Sequence, residues 1–223
     1  MRAPPVTLLP KKIKKNFFAD ECNLRAGVCV KTSDMSPIQS PSIFRKGNES
    51  DDILLASVAS QGSVGAFETL VERYSRRVYA LVVRVVGSAP DAEEITQDVM
   101  MRIYERAEAF DGRSSVGTWI FRIAYNAAID HTRRQQSRPD RASDAEMPEL
   151  PDSSDTDKDP RMEMIEAAMR LLDAPDRALL TLYYYDEHTI AEIAEITRMS
   201  QSNVKVRLMR LRDRLRKSVT SLS

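Results

Sequence analysis

The sequence predicts an all-α protein built from two small helical domains joined by a flexible acidic linker. Three observations carry that prediction. Apolar residues recur at helical spacing through two separate blocks, at about 50–136 and 161–217. Between them, residues 137–160 hold eight acidic residues, three basic ones and four prolines, with almost no large apolar side chains. Such a segment cannot bury enough surface to offset the entropy of ordering. Finally, the last forty residues pair a short helix pattern with a longer, strongly basic one across a three-residue corner.

At 223 residues the chain suffices for one large or two small domains, and its net charge of zero conceals a segregation of signs. Each helical block can form a small domain but not a large core. Residues 1–49 have no sustained period and carry a basic run, Lys11-Lys-Ile-Lys-Lys15, with no secretory apolar segment after it and no stretch long enough for a membrane span. They are expected to be disordered, and residues 1–34 to precede a more ordinary start at Met35. Cys22 and Cys29, the only cysteines, lie in this tail with no His or further Cys close enough to suggest zinc. They read as reduced, incidental thiols of a cytosolic protein. No metal and no cofactor is expected.

The first domain opens with a short helix at about Ser50–Ser60 carrying Ile53, Leu54 and Val58. From Ser63 to Val86, Phe67, Leu70, Val71, Tyr74, Val78, Leu81, Val82 and Val85 keep helical spacing, and Gly87 stops the helix. Ser88 caps a third helix, with Pro90 in its first turn and Asp91, Glu93 and Glu94 favoured by the positive end of its dipole. Ile95, Val99 and Ile103 form its buried seam, while Glu93, Glu94, Gln97, Asp98 and Arg102 face outward. After the loop Phe110-Asp-Gly-Arg-Ser114, turning at Gly112, a fourth helix runs from about Val116 to Arg134, with Ile120, Ile123, Ala124 and Ala127 packed inward. Near its start Trp119, the only Trp, sits beside Phe121, Arg122, Tyr125 and Asn126. Rings interleaved with Arg and Asn beside a loop suit unpaired nucleic acid, whose bases stack and expose their edges. A lone Trp in a helical bundle is, however, more often a core residue.

In the second domain, Ile190, Ile193, Ala194 and Ile196 supply the packing face of the short helix. Beyond the corner, Val204, Leu208, Leu211 and Leu215 fall on one face of the last helix, and seven Lys or Arg against one Asp fill much of the remainder from Ser200 to Lys217. One buried stripe backed by a dense cationic surface, reached through a tight turn, describes the recognition helix of a helix-turn-helix, laid in a DNA major groove. A solvated basic face is the plainer reading of that helix alone.

Several segments together resemble a known family. Ala66-Phe-Glu-Thr-Leu-Val-Glu-Arg-Tyr74, Asp91-Ala-Glu-Glu-Ile-Thr-Gln-Asp-Val99, Phe110-Asp-Gly and Thr118-Trp-Ile-Phe-Arg-Ile-Ala-Tyr-Asn126 resemble domain 2 of the extracytoplasmic-function (ECF) sigma factors of bacterial RNA polymerase. Leu172-Asp-Ala-Pro-Asp-Arg177, Ile190-Ala-Glu-Ile-Ala-Glu-Ile196 and Ser202-Asn-Val-Lys-Val-Arg207 resemble their domain 4. The resemblance covers about residues 50–136 and 161–217. It implies a subunit that binds core polymerase, recognises the two elements of a promoter and assists its opening. It assigns core polymerase contact to Asp91, Glu94, Gln97, Asp98 and Arg102. Minus-ten DNA falls to the loop from Phe110 through Gly112 and Ser114, and to Trp119, Arg122, Asn126, Arg133 and Arg134. Within that set Asn126 suits base reading, because a carboxamide offers both donor and acceptor. Arg122, Arg133 and Arg134 suit phosphates, and Trp119 suits packing at the helix start. Minus-thirty-five DNA falls to Ser202, Asn203, Lys205, Val206, Arg207, Met209 and Arg210. It further implies an anti-sigma factor covering both domains, and a cytoplasmic protein held near the membrane when that partner is. Many relatives have Gly where this chain has Arg198, so the corner here is either different or slightly strained.

No enzyme is expected: His131 and His188 read as isolated, no Gly-rich phosphate loop occurs, and no nucleophile has a paired base. Two alternatives stand beside the sigma reading. A helix-turn-helix regulator acting without being a polymerase subunit would bind duplex DNA alone and would not need the aromatic and Asn pairing near the loop. A protein-interaction first domain would leave the basic helix with nonspecific contacts. The linker favours the sigma reading, since a tether lets two domains reach promoter elements some tens of ångströms apart.

Overall fold

The computed structural model describes residues 50–137 and 167–222. The N-terminal tail with Cys22, Cys29 and Met35, and the linker from residue 138 onward, lie outside the described residues. The main helices of the rest are α1 Asp51–Gln61, α2 Val64–Val86, α3 Ala89–Glu105, α4 Val116–Gln136, α5 Ala174–Tyr184, α6 Ile190–Thr197 and α7 Gln201–Leu222, with a short 3-10 helix, Ala107–Ala109, after α3. No strand occurs among the described residues.

Each helix of the first domain begins where its sequence supplies a cap. Ser50, Ser63, Ser88 and Ser115 hold extended backbone and accept from the amide three residues on, satisfying one of the donors a helix start leaves unpaired. Gly87 ends α2 at φ 81°, a left-handed conformation that costs glycine nothing sterically. α4 continues two residues past its expected end, to Gln136.

α2 is the centre of the first domain. Phe67, Leu70, Tyr74, Val78, Leu81, Val82, Val83 and Val85 are all buried along it. Their burial is worth about 1.5–3 kcal/mol for each large side chain. Around them lie Leu54, Leu55 and Val58 of α1, Ile95, Val99 and Ile103 of α3, and Trp119, Ile120, Phe121 and Ala124 of α4. Polar bonds fix the arrangement of the helices. Asp51 accepts from both Arg73 and the Tyr74 hydroxyl, each at 2.5 Å, which binds α1 to α2. Burial and the neighbouring Asp51 carboxylate raise the Tyr74 hydroxyl well above the ordinary phenol range, so it stays a donor. Ile123 and Ala127, expected inward, are only half-buried, whereas Phe121 is fully enclosed.

The second domain closes around Leu179, Leu182, Ile193, Ile196, Val204, Leu208 and Leu211. Thr189 and Glu192 form a reciprocal capping box at the start of α6. At the corner Arg198 stands at φ 59°, ψ 31°, and the Ala194 carbonyl accepts from the amides of both Arg198 and Met199. A left-handed turn, which favours glycine, is made here by a side-chain-bearing residue. The strained alternative is the one adopted.

The two domains pack on one another, α5 against α2 and α6 against α4. Its polar contacts are made by charged and aromatic side chains. Arg77 of α2 donates through Nε to Asp186 Oδ1 at 3.3 Å and through Nη2 to the Asp186 carbonyl at 3.1 Å, and lies 4.9 Å from the centroid of the Phe121 ring. Arg84 stacks on Tyr185 at 4.0 Å. Arg177 reaches across to the Val85 carbonyl at 2.7 Å, at the carbonyl-bearing end of α2, where a cation is favoured.

Arg198→Gly is expected to stabilise the fold by about 0.5–1 kcal/mol, the left-handed penalty outweighing the entropy glycine loses. Urea denaturation would register it as a higher midpoint at unchanged slope; a lower midpoint would mean that the Arg198 side chain supports the corner.

Candidate nucleic-acid interface

Two helices carry the residues expected to meet DNA. On α4, Trp119, Arg122, Asn126 and Arg133 are separated by three, four and seven residues, which places them on one side of the helix. Trp119 is 6 % exposed and meets Phe110 edge to face at 5.6 Å. It holds the loop against the helix start, in keeping with a packing role, and Phe110 is itself half-buried. Between them Gly112 turns the exposed loop at φ 69°, with Ser114 half-buried behind it. Arg122 and Asn126 are half-buried, while Arg133 and Arg134 are exposed, Arg133 within 3.1 Å of Asp130.

Phe121 and Tyr125 lie elsewhere on α4. Phe121 is enclosed between Arg77 and His188, whose ring meets it edge to face at 4.6 Å. Burial raises the Tyr125 hydroxyl, with Arg207 of α7 opposing the shift and Asp176 of α5 adding to it. Neither ring is a platform for stacked bases in this arrangement.

On α7, Ser200 caps the start by accepting from the Asn203 amide at 3.2 Å. Ser202, Asn203, Lys205, Val206, Met209 and Arg210 are exposed, Val206 at 42 % and Met209 at 57 %. Two apolar side chains left in water among cations fit a surface that meets base edges and thymine methyls. Arg207 differs from its neighbours. It is half-buried and turned back to Asp176, with Nε 2.5 Å from Oδ1.

On α3, Glu94, Gln97 and Asp98 are exposed together, whereas Asp91 and Arg102 are half-buried. Asp91 accepts from Gln135 Nε2 at 3.1 Å and lies 3.4 Å from His131 Nε2, so it braces α3 against the end of α4.

Both histidines are embedded in helix contacts, contrary to their isolated appearance in sequence. His188 is buried on Phe121, with Nδ1 3.8 Å from Glu192. The nearby His188 ring, and then hydrogen bonds from the Thr189 amide and hydroxyl, hold the Glu192 carboxyl down at about 2 despite partial burial. Asp186 shifts the other way: its burial raises the carboxyl, opposed by Arg77 and His188. Among the described residues no group of three or more His, Cys, Asp or Glu could hold a metal, and no helix is long and apolar enough to cross a membrane.

Sequence reasoning missed the seam residues Arg77, Arg84, Asp186 and His188, and Asp176 beneath the last helix. Asp176 lies within the Leu172–Arg177 segment, and its signal was an acid in a helix's first turn, which the dipole explains equally well.

These features define the class: a two-domain all-α protein ending in a helix-turn-helix formed by α6 and α7. Residues 70–138 match Sigma-70 region 2 and residues 162–215 match Sigma-70 region 4. The chain is 31% identical over 180 residues to the ECF RNA polymerase sigma factor SigW of Bacillus subtilis, covering 73% of this chain and 93% of that one. It is 30% identical over 173 residues to the ECF RNA polymerase sigma factor RpoE of Cereibacter sphaeroides, covering 75% and 93%. In fold it is similar to CnrH, solved in complex with the cytosolic domain of CnrY, with a TM-score of 0.60 and 23% identity over 78% of this chain and 100% of that one. RpoE of Bartonella quintana, solved with the anti-sigma factor NepR, gives 0.60 at 19% identity over 70% of this chain and 98% of that one. The chain belongs to the sigma-70 family, in its ECF branch.

Because Glu192 is held below the ordinary 4.5, its stabilisation is complete above that pH and is lost as pH falls toward about 2. The stability difference between the wild type and Glu192→Gln should therefore shrink across that interval. A difference independent of pH in denaturant titrations would contradict the assignment.

Proposed function

We propose that this chain serves bacterial core RNA polymerase as its promoter-reading subunit, recognising a minus-ten element through α4 and its preceding loop and a minus-thirty-five element through α7. The observation that carries this is the pairing, in one chain and in the family's order, of two differently built DNA faces. α4 offers a carboxamide and arginines beside a loop, fit for unpaired bases; α7 offers cations and small apolar groups, fit for a major groove.

The roles divide by chemistry. Asn126 reads a base of the minus-ten strand, since extruding a base costs a few kcal/mol that specific hydrogen bonds must return. Arg122, Arg133 and Arg134 hold phosphates, adding affinity without sequence information. Lys205 and Arg210 approach guanine edges or phosphates from the exposed side of α7, and Asn203 does so from its N-terminal turn, where recognition helices meet bases. Glu94, Gln97 and Asp98 dock on core polymerase as an exposed polar face that the protein's own core does not use. Asp91 and Arg102 flank that face.

The chain contributes binding and positioning and no chemistry of its own. It works in the cytoplasm, where polymerase and DNA are, and an anti-sigma partner restrains it, near the membrane when the partner is anchored there. The fold relatives solved with such partners support that part of the reading. Promoter elements some tens of ångströms apart would part the two domains, and the linker between them suits that.

Run-off transcription with core polymerase on a genomic fragment library, with and without the purified chain, tests the proposal: new starts sharing two spaced upstream elements are expected, and their absence with folded protein would defeat it. Lys205→Ala with Arg210→Ala should abolish promoter-specific starts while core binding by gel filtration persists. Asn126→Ala should weaken or relax minus-ten selection with little effect on minus-thirty-five binding. An unchanged minus-ten preference would remove Asn126 from the readers.

A further inference from the structure

The last helix is tied to α5 by a buried carboxylate, beside its apolar stripe and Arg212, which lies 5.5 Å from the centroid of the Tyr183 ring and 6.0 Å from that of Tyr184. Asp176 stands in the first turn of α5, 5 % exposed, beneath α7. Its Oδ1 lies 2.5 Å from Arg207 Nε and its Oδ2 3.5 Å from Arg214 Nη1. Arg207 and Arg214 are seven residues apart, close to two helical turns, so both leave α7 on the same side and one acid gathers them.

Burial of the apolar stripe decides which side of α7 faces inward but restrains small rolls only weakly. The stripe of Val204, Leu208 and Leu211 gains by being buried, and that gain is non-directional. A charge-assisted bond to Nε is directional and resists rolling. The geometry is demanding, because a roll of about 20° moves a side-chain tip ~6 Å from the axis by roughly 2 Å. That displacement exceeds what a hydrogen bond to a base edge tolerates. The carboxylate is also committed to its partners, since an unpaired charge at this depth is strongly unfavourable.

We propose that Asp176 is a positioning residue for minus-thirty-five recognition. It fixes the rotation of α7 through Arg207 and Arg214, and Arg207 belongs to this brace and not to the base-reading set. The readers on α7 are then Ser202, Asn203, Lys205, Val206, Met209 and Arg210, the residues left exposed when Arg207 turns inward. This inference rests on the sigma-factor reading above.

The test uses full-length chain with core polymerase on promoters from which the wild type starts, each base of the minus-thirty-five element being replaced in turn. A wild type that yields no starts overturns the sigma reading and this inference with it; every other outcome bears on Asp176 alone. Asp176→Asn and Arg207→Gln are each expected to lower minus-thirty-five-dependent starts by about tenfold and to flatten base preference there, with minus-ten preference unchanged. The double variant should be no worse than the worse single one, the non-additivity of residues acting as a unit. Asp176→Glu, which keeps the charge, should recover part of the preference. If Arg207 reads DNA directly, Asp176→Asn will free it and leave promoter use at or above wild type while Arg207→Gln still loses, and the proposal fails. Should Asp176→Asn not fold by circular dichroism, Arg214→Gln decides. Flattened minus-thirty-five preference, non-additive with Arg207→Gln, supports the brace, and wild-type preference overturns it.

Discussion

Burial of α2 is the constraint from which the rest of the structure follows. Its apolar positions are too many for one stripe: Leu81, Val82, Val83 and Val85 are all buried, so the C-terminal half of the helix is enclosed on several sides. α1, α3 and α4 cover it within the first domain, and α5 covers it from the second. Because α2 must be surrounded, α3 is left with one face inward and one face free, and α4 is divided between core, seam and outward-facing residues. The placement of the functional side chains is thus a by-product of satisfying a single apolar helix.

Much of this was legible in the sequence because it is local. Serine caps, Gly87 and the 3.6-residue period set the helices of the first domain to within a residue or two, and the apolar stripe of α7 marked its buried side with Val204, Leu208 and Leu211. What escaped is non-local. Arg77 and Asp186 are 109 positions apart, and each reads alone as an ordinary solvated charge. Phe121 and Tyr125, sharing a helix with Asn126, read as base platforms until a second domain was seen to lie against them. Arg207 carried the same basic signal as Arg210, and no periodicity separates a cation turned to a buried acid from one left in water. The Arg198 corner shows a different limit: the sequence flagged the missing glycine, but only the backbone could say that the left-handed turn was kept.

The polar contacts divide into two kinds with different consequences. Inside each domain they are short and specific, as with Asp51 beneath Arg73 and Tyr74, or Thr189 with Glu192. Across the seam they depend on long side chains and stacked rings, and Asp186 Oδ2, His188 Nε2 and Arg177 Nε are buried there without a hydrogen-bond partner. Because α5 covers α2 across the seam, the junction is part of the buried core as well as a set of polar contacts.

The small cluster of Asp91, His131 and Gln135 couples two surfaces that chemistry would treat separately. It ties the start of α3 to the end of α4, so that the exposed face bearing Glu94, Gln97 and Asp98 and the side bearing Arg122 and Asn126 belong to one rigid frame. The frame behaves as a ruler: any macromolecule seated on the first face acquires a fixed distance and heading to whatever the second face holds.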